Sequence, residues 1–167
     1  MKTHNKYKDK EEKECAKRFL PYYCQKNDEK EKGVVIEKNP VQDEVDVFVK
    51  FKNRNKLKIQ VTVADSSSTA NFRDQISRKF KGKSTRDNII SSIRDRHDMK
   101  PVSRAFETKV NKYEGQKKDM SDIFLLIDDQ MGDFPKSATN GIDWNFYKNY
   151  FKEVWYVGRT CCIYKIL

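Results

Sequence analysis

The stretch SDIFLLIDD, residues 121–129, limits the fold more than any other. Its apolar centre is too short for a buried helix and has no polar face, so it reads as a strand covered on both sides. Such a strand needs a sheet around it and a layer of structure on each face. Helical patterns elsewhere in the chain can supply those layers.

Upstream, DVFVKFKNRNKLKIQVTVAD (46–65) holds two strand-like runs about a polar turn, KNRN. In the second run Leu57, Ile59, Val61 and Val63 alternate with Lys58, Gln60, Thr62 and Ala64, which predicts one core face and one polar face. GVVIEKNP (33–40) predicts a shorter strand before the hairpin. From about Asp9 to Asn27, Cys15, Ala16, Phe19, Leu20 and Tyr23 recur at helical spacing, an amphipathic helix that Pro21 should kink or end. After DSSST, the segments NFRDQISRKFKG, STRDNIISSIRDRHD and VSRAFETKVNKYEG carry apolar residues three and four apart and predict a helical layer. The tail adds DWNFYKNYF, expected as a short helix, and EVWYVGRTCCIYKIL, a strand with a bend or turn at Gly158. The order predicts an α/β domain with a central mixed β-sheet flanked by helices.

A length of 167 residues predicts one domain over 1–167, with residues 1–8 a frayed basic leader. Aromatics at 12% are too many for a disordered polyelectrolyte. The 35 Lys and Arg against 25 Asp and Glu leave +10, a field that attracts phosphate backbones, so nucleic acid is the expected partner. SRKFKGKSTR concentrates Lys79, Lys81, Lys83 and Arg86 around Phe80, an expected patch for a nucleic-acid backbone. No apolar run reaches the roughly 20 residues of a membrane helix, and MKTHNKYKDKEEKE lacks a signal-peptide core, so an intracellular, cytoplasmic protein without membrane contact is expected. The four cysteines include no CxxC pair, and adjacent Cys161 and Cys162 in a strand would face opposite ways, so free thiols are expected rather than zinc. His97 has no partner at a useful spacing and reads as a helix-end histidine.

This element order, with Asp46 opening the second strand and a polar trio on the third, resembles the PD-(D/E)XK superfamily of restriction-endonuclease-like nucleases, whose common core is αβββαβ. The resemblance covers about Asp9 to Leu167. It implies that Asp46 in VDVFVKF is the signature aspartate and that the E-x-K positions fall on Gln60-Val61-Thr62 in KIQVTVAD. It also implies an acid on the first helix, matched by Glu12, and a polar residue on the helix after the third strand, matched by Gln75. The implied activity is Mg²⁺- or Mn²⁺-dependent hydrolysis of phosphodiester bonds, with DNA the expected polymer and a homodimer the implied assembly. Asp46 would be the principal metal ligand, Gln60 a neutral second ligand, and Thr62 would orient water or phosphate.

Two departures define what the structure must answer. A glutamine stands where the family has a carboxylate, and a threonine where it has a lysine; losing one preorganised donor costs on the order of 10²–10³ in rate. Lys58, on the face of Gln60 and Thr62, and Lys50, on the face of Asp46, are candidate replacement cations, while Asp43 and Glu44 are candidate replacement carboxylates. The alternative is a catalytically degenerate module of the same fold that binds nucleic acid or assembles with other proteins. A third class is a small zinc-stabilised interaction protein.

Overall fold

The computed structural model describes residues 2–30, 32–41, 45–52, 56–64, 99–130, 132–144 and 149–167, with first-helix side chains described from Lys8 onward. Helix α1 (Lys2–Lys26) buries Glu12, Cys15, Ala16, Phe19, Leu20, Tyr23 and Cys24, one stripe at spacings of three and four. It begins at Lys2 rather than Asp9, because the apolar stripe marks only where the helix is packed, and good helix formers extend it beyond that contact. Pro21 does not end it. The proline is exposed, while Tyr23 and Cys24 beyond it are buried against the sheet, and that packing outweighs the lost backbone hydrogen bond.

Strands β1 (Val35–Lys38), β2 (Val47–Lys50), β3 (Leu57–Val63), β4 (Ile123–Asp128), β5 (Glu153–Val157) and β6 (Ile163–Lys165) form one open sheet in chain order. The first three are antiparallel, β3, β4 and β5 run parallel, and β6 returns antiparallel on β5. As the IFLLI run requires, β4 is central and buried along its whole length. Its alternation splits the core in two. Phe124 and Leu126 pack with α1, whereas Ile123, Leu125 and Ile127 pack with Val102, Phe106, Val110 and Tyr113 of helix α2 (Lys100–Gly115). At about 1.5–3 kcal/mol for each large apolar side chain buried, this two-sided strand anchors both layers.

The C-terminal run folds as a hairpin rather than one strand, turning at Gly158, where any Cβ would meet the Cys162 carbonyl at 2.8 Å. A single 3₁₀ turn occupies Lys136–Thr139. The short helix expected over 143–151 falls partly outside the described residues. Gln75, Lys79, Lys81, Lys83, Arg86, His97, Asp43 and Glu44 also lie outside them. Among the described residues no helix is long and apolar enough to cross a membrane.

Candidate functional site

Pairing of Val47 with Ile59 brings Asp46 opposite Gln60 at the end of the β2–β3 ladder. The Asp46 N–H donates to the Ile59 carbonyl at 2.9 Å, and its own carbonyl accepts the Asn39 N–H at 3.0 Å. Buried Asn39 ties the same corner by donating its side-chain amide to the Val45 carbonyl at 2.9 Å. Asp46 is therefore pinned between β1 and β3 with its side chain at the sheet end. Its Oδ2 accepts the Val61 N–H at 2.8 Å and the Gln60 side-chain amide.

Gln60 is only 3% exposed, so the polar face expected on β3 is covered at this position. Helix α2 roofs that face, and the Tyr113 hydroxyl takes the place of water, donating to Gln60 Oε1 at 2.7 Å. The phenol thereby fixes the amide so that its NH₂ group, not its oxygen, faces Asp46. Thr62, half-buried, lies two residues further along the same face.

From the other side of the sheet α1 brings Glu12, itself only 4% exposed. Its Oε2 accepts from the Lys38 ammonium at 3.1 Å, and Lys38 also holds Asp9. Its Oε1 lies 3.4 Å from the Lys8 ammonium but accepts no hydrogen bond among the described residues. Burial and then the Glu12 charge push the Asp46 carboxyl up to about 6, against the Val61 N–H, Lys109 and Lys8, which pull it down. Lys109 sits four residues before Tyr113, on the same face of α2, and its own pKa is lowered by burial with the Asp46 charge opposing.

The other candidate cations turn elsewhere. Lys58 reaches Asp122 at 2.5 Å on the exposed rim, and Lys50 reaches Glu37 at 2.5 Å. The lysines whose charge acts on Asp46 are Lys109 and then Lys8, and Lys109 was missed by local sequence reasoning. Its signal was a lysine interrupting the apolar stripe Val102, Phe106, Tyr113. Lys38 also borders a surface cleft of about 340 Å³ with Asp9, Lys10, Lys13, Glu14 and Lys17. The cysteines divide: Cys15 and Cys24 are buried in the α1 core, and Cys161 and Cys162 lie in the β5–β6 turn.

Chemically, the centre offers one buried and one half-buried carboxylate from different elements, a carboxylate oxygen that accepts no hydrogen bond among the described residues, and a largely desolvated ammonium. That donor set fits a hard divalent cation, which takes oxygen ligands and offsets carboxylate repulsion. No protein-family model, curated protein or solved structure matches this chain.

Proposed function

We propose that the chain is a metal-dependent nuclease of the restriction-endonuclease-like type, hydrolysing phosphodiester bonds in nucleic acid, DNA before RNA. The observation that carries this reading is the pairing of Asp46 with Glu12. Burial and then the charge of the buried Glu12 raise the pKa of the half-buried Asp46, and Glu12 Oε1 accepts no hydrogen bond among the described residues. Carboxylates perturbed by desolvation and a like-charged partner are characteristic of working sites. The strand order β1-β2-β3-β4, antiparallel then parallel, and the position of Asp46 at the opening of β2 support kinship with the αβββαβ core.

In this reading Asp46 and Glu12 hold Mg²⁺ or Mn²⁺, with Glu12 supplying the carboxylate that position 60 lacks. The ion would supply Lewis acidity at a phosphoryl oxygen and a more acidic bound water. Gln60 becomes a positioning residue, because its oxygen is taken by Tyr113 and its amide steadies Asp46. Lys109 provides the positive charge that Thr62 cannot, from α2 instead of β3. A desolvated ammonium beside the reacting phosphate offsets developing charge more strongly than an exposed one. Thr62 keeps a hydroxyl on the same face for water or phosphate.

A second reading, a catalytically degenerate binding module, draws on one feature: the Tyr113–Gln60–Asp46 chain of hydrogen bonds closes without any cation. One experiment separates them. The protein is incubated with duplex, single-stranded and branched DNA and with RNA, in Mg²⁺, Mn²⁺ or EDTA, beside Asp46→Ala. The nuclease reading expects cleavage that needs metal and Asp46. Salt-dependent binding that ignores both would establish the degenerate module instead.

A further inference from the structure

A second cluster lies at the tip of the β5–β6 hairpin, and its geometry owes nothing to the Asp46 centre. In a regular strand adjacent side chains face opposite ways. Cys161 and Cys162 precede β6 in the turn, where that alternation lapses, and their sulfurs lie 3.9 Å apart. Two metal–sulfur bonds of about 2.3 Å meeting at a tetrahedral angle span about 3.8 Å, so the pair is already spaced to share one ion.

Asp133 sets this arrangement. Its carboxylate accepts the N–H groups of Thr160 at 2.8 Å, Cys161 at 3.2 Å and Cys162 at 3.0 Å, and the Thr160 hydroxyl as well. Three successive N–H groups converging on one anion form a nest, which fixes the turn and its two thiols together. The Gly158 N–H closes the turn on the Cys162 carbonyl at 2.9 Å. Among the described residues, Asp133, Cys161 and Cys162 form a group whose potential ligand atoms all lie within 4.8 Å of one another. Cys161 is exposed and Cys162 half-buried, so an ion can reach them from solvent.

We propose that Cys161 and Cys162 bind one thiophilic divalent cation, Zn²⁺ being the expected ion, with the Asp133 carboxylate as its neighbouring counter-charge. Each ion bound displaces two thiol protons. Two thiolates leave coordination positions open, so the ion is exchangeable and not a fold-forming zinc, which would have four protein ligands. The buried Cys15 and Cys24 take no part.

The test is titration of the reduced full chain with Cd²⁺ as the probe, followed by thiolate-to-metal absorption in the ultraviolet. The expected result is a band that saturates at one ion per chain and is displaced by Zn²⁺. Cys161→Ser and Cys162→Ser, conservative changes on a surface turn, should each abolish it, while Cys24→Ala should retain it. Asp133→Asn should weaken binding by roughly 10- to 100-fold, as loss of an outer partner does. A wild-type chain that gives no band, or a band that survives both serine substitutions, overturns the proposal.

Discussion

Asp46 and Asp133 are both drawn against backbone N–H groups beside a hairpin, yet the fold holds them in opposite states. Burial pushes Asp133 up, but the Thr160 hydroxyl and three backbone N–H groups outweigh it and keep the carboxyl below its ordinary range. Asp46 receives one backbone N–H and a neutral amide, faces Glu12, and is pushed up to about 6. The difference teaches what a complete carboxylate looks like. Asp133 has its donors and serves the turn; Asp46 has fewer donors, is desolvated and faces a second carboxylate, the state that the proposed cation would relieve.

The comparison breaks most visibly if the two residues exchange roles under mutation. Asp46→Ala should lower the rate of metal-dependent cleavage by about 10³-fold or more, with little change in the denaturation midpoint. Asp133→Ala should leave the rate within a few-fold. Equal losses of rate in the two variants would erase the distinction. Lys109→Met, which keeps the chain length and removes the charge, should reduce kcat by about 10²-fold with a smaller change in KM, measured at saturating Mg²⁺.

Stability should show the reverse ranking. Asp133→Ala leaves three backbone N–H groups and a hydroxyl without their acceptor, and should cost about 2–3 kcal/mol in urea denaturation. Asp46→Asn in EDTA should instead stabilise the chain near neutral pH. The raised folded pKa means that the folded wild type binds more protons than the unfolded chain between about pH 4 and 6, so its stability falls as pH rises through that window. The asparagine variant lacks that fall and should gain about 1–2 kcal/mol at pH 7.5 relative to its difference at pH 4. The smallest effect belongs to Lys58→Ala: its ion pair with Asp122 is exposed, and removal should shift stability by less than about 1 kcal/mol and the rate not at all.

Much of this was legible in the chain. The IFLLI run specified a central strand because only two-sided burial tolerates an unbroken apolar face, and the alternation from Leu57 to Val63 fixed which β3 residues face α1. Asp46 and Gln60 were placed in one centre by the resemblance to the PD-(D/E)XK superfamily, and the β2–β3 register sets them opposite one another. Glu12 was readable as a member of the buried stripe of α1, three and four residues before Cys15 and Ala16. Lys109 and Tyr113 were not, since their approach to Asp46 and Gln60 depends on how α2 packs across the sheet, which no local pattern encodes. In a chain with 35 basic residues, a lysine gains meaning only from its surroundings. Cys161 and Cys162 are free thiols as expected, but they lie in the turn and not in a strand, because the turn expected at Gly158 extends through Cys162 on the Asp133 carboxylate.

The central claim is that Asp46 and Glu12 form a centre completed by a hard cation, and Mn²⁺ titration by calorimetry tests it most directly. Mn²⁺ favours oxygen ligands, so the thiol pair should compete poorly for it. The account predicts one ion per wild-type chain, and none for Asp46→Asn or for Glu12→Gln, each with its fold intact by circular dichroism. A wild-type chain that takes up no Mn²⁺, or uptake that both substitutions leave unchanged, would contradict it.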